Sequence, residues 1–152
     1  MRHFPALLIL AACTSPRPTP PVMHAFRLLP GQDLLAGIQR YVEQHGIEAG
    51  WIATGVGSLT DWSLRFADRA AANTGSGRFE IVALVGTVSM HGSHLHLAIS
   101  DGDGHTIGGH LVPGCRVYTT AEIVLGQSPA HVFTRANDGS TPWAELQIGW
   151  RR

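Results

Sequence analysis

HLHLAISDGDGHTIGGHL, from His94 to Leu111, is the stretch whose reading decides the fold. His94 and His96 alternate with Leu95, Leu97 and Ile99, the period of a strand that sends both imidazoles to one face and the aliphatic side chains to the other. Asp101-Gly102-Asp103-Gly104 is a tight-turn sequence, with glycines for positive φ and aspartates that accept from their own backbone. The segment predicts a β-hairpin with His110 on the return strand. Register then decides what the histidines do, because a slip of one residue moves every side chain to the other face. A loop at Gly102 to Gly104 pairs Asp101 with His105, Leu97 with Gly109 and Ile99 with Ile107, and sets His96 opposite His110 on the face of His94. A shorter turn at Gly102-Asp103 puts His110 opposite Leu95 and scatters the rings. The apolar pairing favours the first register.

In that register His94, His96 and His110 form a candidate metal centre. Directly opposed residues hold their Cβ atoms roughly 4.5 to 5.5 Å apart, a span that suits imidazoles sharing one cation with bonds of about 2.0 to 2.1 Å. Three neutral imidazoles with one open position make a catalytic-type shell for a divalent metal, zinc above all, and nickel, copper and iron accept the same set. A His-x-His pair also occurs on ordinary half-buried strands, so spacing alone leaves a structural role open.

The chain has 152 residues, 44% hydrophobic and 14% charged, which is enough for one domain with a real core. All eleven basic residues are arginine and eleven acidic residues balance them. A neutral chain is a poor match for bulk nucleic acid, whose sequence-independent affinity comes from neutralising many phosphates, although one small arginine patch stays compatible with DNA. No apolar run approaches the roughly 20 residues that span a bilayer.

The first 22 residues differ from the rest. Met1-Arg2-His3 and the apolar Phe4 to Leu10 read as a short secretory signal, and Leu10-Ala11-Ala12-Cys13 resembles the lipobox at which bacterial lipoproteins are cleaved and acylated, here on Cys13. A Pro-rich tether, Thr14 to Pro21, follows. The competing reading makes Met23 the true start, with 23–152 as the domain. The first implies a lipid-anchored periplasmic protein that meets the membrane only through that anchor; the second implies a cytoplasmic one.

Beyond the tether the chain reads as α+β, a largely antiparallel sheet with a packed helix. Asp33 caps a helix whose Leu34, Leu35, Ile38, Tyr41 and Val42 recur at helical spacing, and Gly46 supplies the stop. Ile47 to Leu59 and the alternation Trp62, Leu64, Phe66 read as two strand-like runs, with a flexible small-residue stretch from Ala70 to Gly77 after them. Phe79 to Met90 is a long β run. After the hairpin, Cys115 to Leu125 alternates Val117, Thr119, Ala121, Ile123 and Leu125 against Tyr118, Thr120, Glu122 and Val124, and short strands follow at His131 to Arg135 and Trp143 to Ile148.

These residues carry a family resemblance. RLLPGQDL at Arg27, ATGVGSL at Ala53, LRFA at Leu64, GRFEIV at Gly77, HLHLAISD at His94, IGGHLVPGC at Ile107 and TTAEIV at Thr119 stand in order over nearly all of Phe26 to Ile148. Together they resemble the plants and prokaryotes conserved (PPC) domain, the body of plant AT-hook nuclear proteins and a stand-alone protein in bacteria and archaea. The resemblance implies a compact subunit that assembles as a homotrimer. It also implies a partner-binding role for Gly77, Arg78, Phe79, Glu80, Ile81 and Val82, since the matching segment serves protein contacts in plant members. As a sequence, that segment also reads as an ordinary half-buried strand. The Arg-Gly-Arg-Pro hook that enters the AT-rich minor groove is absent, the nearest approach being Arg17-Pro18, so DNA binding by that route does not transfer. The His-x-His pair and the Gly-Gly-His histidine resemble those of metal-containing prokaryotic members.

Three functions follow: a trimeric binding or regulatory module with a His-lined metal site, a DNA-associated regulatory protein, and a metal-dependent hydrolase or lyase. The last needs a carboxylate to move protons, and Glu122 is the candidate, with a structural partnership to Arg65 as its alternative role. Cys115, in a Pro-Gly-Cys bend, reads as a packed residue rather than a nucleophile. The first function accounts for most of these features.

Overall fold

The computed structural model describes residues 19–151. Eight strands and one helix follow in the order β1 (Val22–Leu28), α1 (Leu34–Gln44), β2 (Gly50–Arg65), β3 (Asn73–Val88), β4 (His94–Ser100), β5 (Thr106–Leu111), β6 (Arg116–Gln127), β7 (His131–Ala136) and β8 (Glu145–Trp150). Six strands form one antiparallel sheet in the order β1-β6-β2-β3-β4-β5, and β7 with β8 make a separate two-stranded ribbon. The large sheet curls until the end of β2 also pairs with β5, Leu64 to Leu111 and Arg65 to His110. The α+β reading and the single packed helix hold. No helix among the described residues is long and apolar enough to cross a membrane.

The helix forms where its signals stand. Asp33 accepts from the backbone N–H of Ala36 through Oδ1 at 2.9 Å, satisfying one of the amides a helix start leaves free. Its Oδ2 accepts from Gly114 N–H at 2.7 Å, so one side chain caps α1 and anchors the bend before β6. Leu34, Ile38 and Val42 are buried in the same cluster as Leu95, Leu97 and Ile99 of β4 and Ile123 and Leu125 of β6. Leu95, Leu97 and Ile99 are exposed by only 1%, 2% and 0%, and this pins the inward face of β4 and turns its histidines outward.

Three sequence expectations need correction. Ile47 to Leu59 and Trp62 to Phe66 belong mostly to one 16-residue strand, β2. Its pairings shift register between Ile52 and Thr54, Gly57 and Leu59, and Leu59 and Asp61, and such bulges break the two-residue period by which a strand is read. The small-residue stretch from Ala70 to Gly77 is strand from Asn73 onward, held against β2 from Asp61 to Leu64 and, through Gly75, in contact with the Trp62 indole. The third is β1, a strand the sequence reading did not identify, paired along its length with β6. The alternation His24, Phe26, Leu28 is short and opens on a polar residue. Met1 to Pro18, with Cys13, lie outside the described residues.

Gly86 supports the hairpin from the neighbouring strand. It lies in β3 at φ 135°, and a Cβ there would run into the carbonyl oxygen of His94. Gly86→Ala is expected to destabilise the fold by more than about 1 kcal/mol, read as a lower midpoint in urea denaturation at unchanged m-value.

Candidate metal centre

The hairpin has the register that brings the histidines together. His96 pairs with His110, Leu97 with Gly109 and Ile99 with Ile107. Asp101 N–H donates to His105 C=O at 3.0 Å and Gly104 N–H to Asp101 C=O at 3.1 Å, closing the loop over Gly102 to Gly104. Asp101 Oδ1 also accepts from the N–H groups of Asp103 and His105 at 3.0 and 2.9 Å. Asp101, Asp103 and His105 therefore cluster because they build the turn, and the three donors of that group need no ion to explain them.

His94, His96 and His110 each offer a ring nitrogen, and these atoms lie within 4.8 Å of one another. The Nε2 atoms of His94 and His96 are 3.3 Å apart. Two nitrogens bound tetrahedrally at about 2.0 to 2.1 Å would stand about 3.3 Å apart, so that edge already has the span of a zinc shell. Ring centroids lie 5.2, 4.9 and 5.6 Å from one another around the triangle. Nδ1 of His110 is buried with no hydrogen-bond partner in the protein, an orphaned acceptor or donor that a bound cation would explain. The donor set therefore fits a divalent metal.

The electrostatics agree, since metal ligands must be neutral imidazoles. Burial lowers the His110 pKa to about 4, with the charges of His94, Arg65, His96 and Arg135 adding to the effect. Burial, then Arg135 and His96, also lower His94, while Glu145 opposes them. Near neutral pH protons do not compete for His110, and the same causes favour the neutral form of His94.

The cleft beside the rings is built from residues far apart in sequence. Arg65, Ser93, His94, His110, Arg135, Trp143, Ala144 and Glu145 line about 330 Å³. Glu145 is the carboxylate brought to the site. Glu122 stands apart, exposed on β6 opposite Arg27 and Val56, and Arg65 lies beside His110 instead of pairing with it. Arg135, Trp143 and Glu145 arrive with the β7–β8 ribbon, and no spacing in the sequence signals their approach. In the Gly77 to Val82 segment, Ile81 is buried and Phe79 half-buried, while Gly77, Arg78, Glu80 and Val82 are exposed. Arg78 lies over the ring of Tyr118, 4.5 Å from its centroid.

The pattern of the Plants and Prokaryotes Conserved (PCC) domain matches residues 18–129. The chain belongs to this family, the PPC domain that its motifs resemble. It is 46% identical over 136 residues to the bifunctional protein GlmU of Synechococcus sp. (strain JA-2-3B'a(2-13)), a match covering 88% of this chain and 22% of that protein. The PPC chain thus spans about a fifth of the length of that curated relative. A solved hypothetical protein from Salmonella enterica superposes with TM-score 0.86 at 43% identity, over 89% of this chain and 97% of that one. A metal-containing protein from Archaeoglobus fulgidus superposes with TM-score 0.72 at 24% identity, over 86% and 96%.

Cys115 is fully buried, and its sulfur accepts from Ser63 N–H at 3.3 Å. Burial pushes its thiol up to about 11, so the reactive thiolate is scarce until pH approaches that value. At pH 8 the Cys115 peptide is expected to stay unalkylated by iodoacetamide in the native protein and to label in urea, as read by peptide mass spectrometry.

Proposed function

We propose that this PPC domain is a trimeric binding or regulatory module with one divalent cation, zinc by the chemistry of its donors, held by His94, His96 and His110. The convergence of three imidazoles within one coordination span carries this reading. The Archaeoglobus likeness, at 24% identity, speaks for the fold alone, so the metal reading rests on this chain's own rings. A bound zinc would supply Lewis acidity, the property on which metal-dependent hydrolase and lyase chemistry rests. In that enzymatic alternative, Glu145 is the carboxylate already at the cleft, and Glu122 would have to act from elsewhere.

Assembly is supported by an apolar patch outside the core. Val56, Val82 and Val85 are exposed by 54%, 53% and 54%. Gly57 pairs with Ile81, which brings Val56 beside Val82, and Val85 pairs with His96, so the patch runs up to the metal site. Exposed apolar residues grouped in this way mark contact surfaces. Gly77, Arg78 and Glu80, on the same strand, form the proposed contact for a protein partner.

Elemental analysis of protein purified without chelator is expected to give one zinc per chain, and His96→Ala to lose it; equal sub-stoichiometric metal in both would refute the site. Because the rings stand on strands already paired and packed, chelation is expected to remove metal while leaving the far-ultraviolet circular dichroism of a folded sheet. Val82→Asp with Val85→Asp is expected to convert a trimer into a monomer by light scattering, and a monomeric wild-type protein would refute the assembly. DNA association, the alternative disfavoured by the balanced charge, is removed if filter binding to AT-rich duplex shows no affinity at low salt.

A further inference from the structure

The cleft beside the histidines holds more positive charge than its wall can neutralise. Arg135 Nη2 donates to Thr87 Oγ1 at 2.9 Å, but its Nε is buried without a partner. Arg65 spreads its guanidinium over Trp143, 5.4 Å from the ring centroid. Among the described residues the ion pairs are His105 with Asp101 and Arg151 with Glu48, and neither arginine of the cleft takes part in one. Glu145 is the one acid in the wall, and one of its oxygens accepts from the Thr141 hydroxyl at 2.5 Å. Arg135 is half-buried, and a guanidinium N–H shut off from water with no acceptor is unfavourable until one meets it. Burial accordingly lowers the Arg135 pKa. A divalent ion at the histidines would add two further positive charges next door.

We propose that this cleft binds a small organic oxyanion, a carboxylate or a phosphate monoester, gripped by Arg135 and Arg65. The planar fork of arginine matches the oxygens of both groups and forms charge-assisted, often bidentate hydrogen bonds with them. A volume of about 330 Å³ is at the small end of ligand sites, and the Trp143 indole offers an apolar wall for the rest of the molecule. The assignment gives the metal site of the previous section a ligand class, but its determinants are the arginines.

Inorganic phosphate and acetate, titrated calorimetrically at ionic strength matched with chloride, test it on zinc-loaded and chelator-treated protein. Saturable binding of either anion is expected, weakened about tenfold or more by Arg135→Met and by Arg65→Met. Zinc content, measured on the same samples, is expected to be unchanged in both variants. Binding of acetate alone or phosphate alone identifies the headgroup. No saturable binding of either anion, or full affinity in both variants, overturns the assignment. Arginine-dependent binding to protein that takes up no zinc on loading supports the anion site and refutes the metal reading, so the two fail separately. Arg65→Met, whose side chain reaches over an exposed tryptophan, decides the matter if Arg135→Met does not fold.

Discussion

The turn at Asp101 sets the register on which the site depends. Its carboxylate accepts from two backbone amides of the loop, and its main chain closes the pair with His105. With that loop length fixed, His96 must stand opposite His110 and Leu97 and Ile99 must face the core. A change of one residue in the turn would set His110 opposite Leu95, on the core side of the hairpin, and scatter the rings. Core burial and ligand convergence are thus one constraint, and the stability of the sheet enforces the geometry of the histidines.

The rest of the site comes from distant chain segments. Strand β2 runs 16 residues and bends at bulges, which lets its last residue, Arg65, pair with His110 although its other end pairs with β6. The β7–β8 ribbon lies outside the large sheet and reaches it through Arg135 and Thr87, while the N–H of Phe133 donates to Glu48 C=O at 2.8 Å. Three rings come from a local hairpin and the charged wall from contacts between segments far apart in the chain. The hairpin positions the rings by backbone pairing, whereas the wall is held by fewer and more solvated bonds, the usual condition of a surface that must admit a ligand.

Legibility in the sequence followed the same division. The hairpin, its register and the three histidines were readable because turn chemistry and two-residue alternation are local signals. The helix was readable from Asp33 and the spacing of Leu34, Ile38 and Val42, and Cys115 as a packed residue from its bend. The continuity of β2 was not, since each bulge resets the alternation. Asn73 to Gly77 looked flexible because a long neighbouring strand, not its own side chains, makes it a strand. Glu122 drew attention by lying on a polar face near a threonine, but β2 and β3 stand between its strand and β4, and the carboxylate at the cleft is Glu145. Nothing along the chain links residue 65 to residue 135; only the curl of the sheet and the docking of the ribbon do.

The charges around the rings couple the two proposed ligands. The surroundings that lower the His94 and His110 pKa values, burial first and then neighbouring cationic groups, disfavour any positive charge there, a metal ion as much as a proton. Coordination bonds must overcome that field, and Glu145 offsets only part of it. An anion held by Arg65 and Arg135 would neutralise the same charges that oppose the metal, and the metal in turn would attract the anion. Linkage makes such an effect reciprocal: whatever factor the anion contributes to metal affinity, the metal returns to anion affinity. A cleft built this way would bind each of the two proposed ligands more tightly in the presence of the other, a property suited to a module that reports the presence of one in terms of the other.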